Sequence, residues 1–174
     1  MDHYPVTSIR EIDGPPEGGT PFQRPVGAVA DTVRTLDEIE HEIIRERFDE
    51  PRIHFALVCA AKSCPRLRGE AYTGPRLDAQ LDAQARRFLH ADRKNRIPAG
   101  NGRIALSKIL KWYGSDFGPT TAAVQRALAP YFGGAVRDSL AQGAYEVRFL
   151  TYDWTLNDPS LDWGDWDPDT NSES

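Results

Sequence analysis

The stretch from His54 to Tyr72, HFALVCAAKSCPRLRGEAY, holds a histidine, both cysteines of the chain and two arginines. Three chemistries fit those residue types: a reactive thiol, a metal site, or a disulfide. The thiol reading centres on Cys64. Pro65 follows it and suits the first position of a helix. If PRLRGEAY opens with a helical turn, Cys64 is its N-cap and feels the positive end of the helix. Arg66 and Arg68 add positive charge, which favours thiolate. His54 lies ten residues earlier and would serve as base if the chain folds back. Glu40 or Asp153 would orient it. Ser63, Arg66, Arg68 and Tyr72 would then bind substrate, the arginines attracting an anionic group.

Each of these residues also has a plain structural use. His54 can be a hydrogen-bonded core histidine, and the loop polar groups can satisfy backbone. If RIHFALV is a strand, Ile53, Phe55, Leu57 and Cys59 share one face while His54 points to the other. Cys59 then reads as a small core residue, and no simple His/Cys metal pair forms. The Cys59–Cys64 spacing is within zinc-finger range, but no second Cys/His pair follows at the right distance. No metal or other cofactor is expected. A Cys59–Cys64 disulfide is geometrically possible and would suit an oxidising compartment.

The elements that must position these groups are legible to different degrees. TLDEIEHEIIRERF reads as a helix, with Thr35 and Glu38 spaced as a capping box. Leu36, Ile39, Ile43 and Ile44 form its apolar stripe, and Glu40 falls inside that stripe. RIHFALV, bounded by Asp49, Glu50 and Pro51, reads as a buried strand. TGPRLDAQLDAQARRFLH reads as a helix with Leu77, Leu81, Ala85 and Phe88 inward. A short strand is expected around Arg103 to Leu106. Ser107 caps a helix that Gly114 ends or weakens, and Thr120 caps another. A further helical turn follows at GAVRDSLAQG. AYEVRFL alternates as a strand. Residues 1–34 are rich in Pro and Gly and read as irregular, with a short strand at Val26 to Ala30. The acidic stretch 159–174 reads as a disordered tail.

Mixed helices and strands without a βαβ rhythm predict an α+β fold: a small sheet against several helices in one domain over 35–158. The 174 residues suffice for one core. The net charge of -5 argues against a nucleic-acid partner. No apolar run is long enough to span a bilayer. No phosphate loop and no G-x-S-x-G motif is present.

The segments SIREI, TLDEIEHEIIR, PRIHFALVCAAKSCPRLRGEAY, LDAQLDAQARRFL, LSKILKWYGSDF and YDWTLND, in that order, resemble the DUF547 family from about Tyr4 to Asn157. The resemblance implies a soluble module of unestablished activity, which in bacterial members often follows a secretion signal. A secreted or periplasmic location is what it implies here. Members usually carry an upstream helical region, and this sequence begins at that junction, so the resemblance implies an incomplete fold. Some members lack a cysteine matching Cys64, whereas the histidine matching His54 is more regular. Two functions follow as expectations. One is a thiol- or histidine-dependent hydrolase using Cys64, His54 and Glu40 or Asp153. The other is a non-catalytic structural or protein-interaction module, with His54, Glu40, Arg66 and Arg68 in a polar network.

Overall fold

The computed structural model describes residues 6–99 and 102–157. The stretch 159–174, expected to be a tail, lies outside them. The fold is α+β, with helices and two small sheets. Contacts gather the described residues into two compact units. The first holds residues 6–50, 59–62 and 154–157; the second holds residues 51–58, 63–99 and 102–153.

In the first unit, β1 (Pro25–Val29) and β2 (Thr32–Thr35) form an antiparallel hairpin with Val29 opposite Thr32. Ala30 and Asp31 make its two-residue turn, both at positive φ, the backbone that matches the twist of a tight hairpin. The chain passes directly into a helix over 36–47. The capping box forms as the sequence predicts: the Thr35 N–H donates to Glu38 at 2.8 Å and the Glu38 N–H donates to the Thr35 hydroxyl at 3.1 Å. Within this helix Glu38–Arg45 is wound as a π-helix. The wider turn displaces residues from the positions that a 3.6-residue period assigns, so the apolar stripe is not buried as a strip. Leu36 is exposed and none of Glu38–Arg45 is fully buried.

The second unit begins with a correction. RIHFALV is not a strand: Pro51–Phe55 is a 3-10 helix, and residues 57–59 have no regular structure. Pro51 fixes a helical φ at the first position. The Ala56 and Leu57 N–H groups then close the turn on the Ile53 carbonyl at 2.8 and 2.9 Å. Strand alternation therefore does not apply, and the consecutive residues His54 and Phe55 are both buried.

Helix α1 (Leu77–Leu89) carries the inner face expected of it, with Leu81, Ala85 and Phe88 buried. Leu77 is exposed instead, and the buried positions at the same spacing are Gln80 and Gln84. Strand β3 (Arg103–Leu106) pairs in parallel with β4 (Glu146–Phe149), Ile104 opposite Val147 and Leu106 opposite Phe149. A parallel pair needs a long crossover. It is supplied by α2 (Ile109–Trp112), α3 (Gly114–Phe117), α4 (Thr121–Leu128) and α5 (Gly134–Gln142). Ser107 accepts from the Ile109 N–H at 3.3 Å and Thr120 from the Ala123 N–H at 3.2 Å, so both expected caps are present. The predicted break falls at Tyr113, between α2 and α3. The core of this unit is built on Phe55, Phe88, Leu106, Leu110, Leu128 and Leu140. The Phe55 ring lies 5.2 Å from Phe88 and 5.4 Å from Phe117.

Candidate functional site

His54 sits near the end of its 3-10 helix with a side chain only 1% exposed. Its Nε2 meets Asp116 Oδ2 at 2.8 Å. Its ring stacks on Tyr113 at 4.0 Å and 15°, with Phe117 tilted beside it at 6.0 Å. Tyr113 immediately precedes α3, and Asp116 and Phe117 lie on it at i+3 and i+4, so one short segment supplies the stacking ring, the carboxylate and a wall. The carboxylate that orients the histidine is thus Asp116, which the sequence reading did not single out. The i, i+3, i+4 spacing in WYGSDF was the available signal. Glu40 lies half-buried on the π-helix of the first unit.

Asp153 serves differently. Its backbone N–H donates to the Ser63 hydroxyl at 2.8 Å, and its carbonyl accepts from the Ser63 N–H at 3.2 Å. Ser63 is therefore a buried brace for the 151–153 segment.

Cys64 carries no free thiol, contrary to the reading of it as a nucleophile. Both cysteines are disulfide-bonded, the state that the sequence left open as one alternative. Cys64 is 3% exposed, and its Sγ accepts a hydrogen bond from the Tyr152 hydroxyl at 3.4 Å. Nor does it cap a helix, because residues 65–68 have no regular structure. The reason is visible in where the carbonyls go. The Cys64 carbonyl accepts from Lys94 Nζ at 2.5 Å, and the Arg66 carbonyl accepts from Gln84 Nε2 at 2.5 Å. Side chains from elsewhere take the acceptors that a helical turn would have used.

Lys94 is the one cation strongly perturbed here among the described residues. Burial pushes its ammonium down to about 8, Asp153 pulls it back up, and Arg66 lowers it further. Tyr152 is shifted upward, by burial first and by the neighbouring Tyr113 second. Lys94 was not singled out in the sequence.

Beyond Cys64 the chain runs across α1 as an anchored loop. Gln80 Nε2 donates to the Ala71 carbonyl at 2.9 Å, and Gln80 Oε1 accepts from the Thr73 N–H at 3.0 Å. Arg68 reaches the Gln80 carbonyl at 3.4 Å and pairs with Glu70. Arg76 pairs with the other oxygen of Glu70 at 2.7 Å. The Arg68 hydrogen bond, then that of Arg76, holds the Glu70 carboxyl below its usual range. Arg68 also lies over the Tyr72 ring, 5.9 Å from its centroid. Of the residues expected to bind substrate, Arg66, Arg68 and Tyr72 thus share this loop, while Ser63 does not join them.

A separate open pocket of about 320 Å³ is lined by Leu110, Lys111, Ser115, Thr120 and Phe149 among others. No histidine, cysteine or carboxylate lines it. Among the described residues no group of three or more His, Cys, Asp and Glu gathers as a metal site. No described helix is long and apolar enough to cross a membrane.

Fold and site together define an α+β protein with a disulfide-bonded cysteine pair, a buried His–Asp pair and an anchored, exposed loop. A match to DUF547, described as a protein of unknown function, covers residues 15–89. It spans the capping-box helix, His54, both cysteines and α1. No curated protein matches the chain, and no solved structure matches it.

Proposed function

We propose that this protein is a non-catalytic binding module whose contact surface is the loop from Pro65 to Thr73. One contrast supports this reading. The residues suited to catalysis, His54, Cys64 and Asp153, are buried and engaged, whereas Arg66, Leu67 and Tyr72 are exposed. A general base must reach the proton it removes. His54 instead spends Nε2 on Asp116 and one ring face on Tyr113. A nucleophilic cysteine acts as thiolate, and Cys64 is tied in a disulfide. In this reading the His–Asp pair fixes α3 against the 3-10 helix, Lys94, Gln80 and Gln84 fix the loop, and Ser63 braces the 151–153 segment.

Replacing His54 by Ala tests the assignment. It removes a buried ring and its hydrogen bond to Asp116, a loss of about 2–4 kcal/mol by analogy with buried ring and hydrogen-bond deletions. The expected outcome is a clear fall in Tm. A His54→Ala protein that melts with the wild type would point instead to a histidine held for chemistry.

A further inference from the structure

Leu67 is 74% exposed, more than any other large apolar side chain among the described residues. It sits between Arg66 and Arg68, and its surroundings are fixed on both sides. Upstream, Cys64 is disulfide-bonded, Pro65 is buried, and Lys94 and Gln84 hold the carbonyls of residues 64 and 66. Downstream, Arg68 is tied to Gln80 and Glu70, and Gln80 holds the backbone at residues 71 and 73. Among the described residues the Leu67 backbone N–H and carbonyl make no hydrogen bond. A single residue therefore offers an apolar side chain and both main-chain groups from a braced frame.

That combination is what an extended-substrate groove recognises: main-chain pairing for affinity and one side-chain pocket for selection. Bracing from behind lowers the ordering cost of binding. We propose that the Pro65–Gly69 loop docks in the substrate groove of a serine endopeptidase with an apolar primary pocket, Leu67 filling that pocket, and blocks the enzyme. The inference rests on the non-catalytic reading above and names its partner class. The brace also opposes turnover. If the enzyme's serine oxygen bonds to the Leu67 carbonyl carbon, the Leu67–Arg68 amide bond breaks and the nitrogen leaves as an amine with the transferred proton. Arg68 remains tied to Gln80 and Glu70, so that amine stays beside the acyl carbon. It re-forms the amide and returns the proton through the enzyme's base.

The test uses the unreduced full chain against chymotrypsin and subtilisin, with trypsin for comparison, each followed with a chromogenic peptide substrate. Competitive inhibition of the first two is expected with an inhibition constant at or below about 1 μM, weaker on trypsin. Leu67→Asp, at an exposed site that leaves Tm unchanged, should raise that constant at least about 100-fold. Gln84→Met, which loosens the loop and keeps Leu67, should turn the inhibitor into a cleaved substrate. No inhibition at about 50 μM, about fiftyfold above the expected constant, would overturn the proposal. So would rapid cleavage within residues 66–69 without inhibition, or equal potency of Leu67→Asp. The two readings fail separately. Absent inhibition with His54→Ala destabilised removes only the endopeptidase partner, whereas a reactive Cys64 thiol in the native chain removes the binding-module reading beneath it.

Discussion

Gln80→Met isolates the brace that the account depends on. Methionine keeps the length of the side chain and the apolar packing on α1, but neither donates to the Ala71 carbonyl nor accepts strongly from the Thr73 N–H. Two hydrogen bonds from a side chain that is 2% exposed are lost. At a net of about 0.5–1.5 kcal/mol each, the cost is about 1–3 kcal/mol. The lower half of that range applies if water reaches the freed groups, since Ala71 and Thr73 are themselves exposed. For a chain of this size 2 kcal/mol corresponds to a fall in Tm of about 4–8 °C. Calorimetry on wild type and variant reads the stability. Amide hydrogen exchange locates it, because Thr73 should lose its protection while Arg96, whose N–H bonds to Ala105 at 2.7 Å, should not. Unchanged exchange at Thr73 would refute the reasoning, since it would mean that the loop holds its conformation without Gln80.

Two further outcomes follow from the second unit. Lys94 has a folded pKa near 8 against an ordinary 10.5, so between those values the unfolded chain binds more protons and stability rises with pH. The full shift corresponds to about 3 kcal/mol, an upper bound because partial solvent access screens it. Above about pH 10 the raised Tyr152 ionises later than in the unfolded chain and stability falls again. Urea midpoints at pH 7.5, 9 and 10 should therefore climb in the wild type and stay flatter in Lys94→Met; parallel profiles would contradict the burial of the ammonium. Gly118 adopts φ +147, and a Cβ there would lie 2.5 Å from the Ala123 Cβ. Gly118→Ala combines left-handed strain with overpacking and should cost about 2–4 kcal/mol, visible as a lowered urea midpoint. A midpoint within error of the wild type would show that α3 and α4 can part there at no cost.

The α+β class and most helix caps were legible because they rest on local signals: the Thr35–Glu38 box, Ser107 before α2, Thr120 before α4 and the alternation of β4. The region around His54 was misread for an equally local reason. Five apolar residues among RIHFALV suit a strand, a short apolar run does not declare its period, and Pro51 set a 3-10 turn instead. The π-winding of Glu38–Arg45 was invisible because the stripe was drawn at 3.6 residues per turn. At the site, His54 and Cys64 were found by type, and the loop of Arg66, Arg68 and Tyr72 by proximity in sequence. Their partners were not found, because Asp116, Lys94 and Tyr152 lie 62, 30 and 88 residues away along the chain. Gln80 and Gln84 repeat at a spacing of four on a face otherwise apolar, a pattern that hydrophobicity alone passes over.

The central claim is that Cys64 and His54 hold the module together rather than react. Native alkylation tests it most directly: the unreduced chain is treated with iodoacetamide at pH 7 and mapped by mass spectrometry, then again after reduction. The account predicts no label on Cys64 in the unreduced chain, and label at both cysteines only once the disulfide is reduced. Rapid labelling of Cys64 in the native, unreduced chain would contradict it and restore the activated thiol.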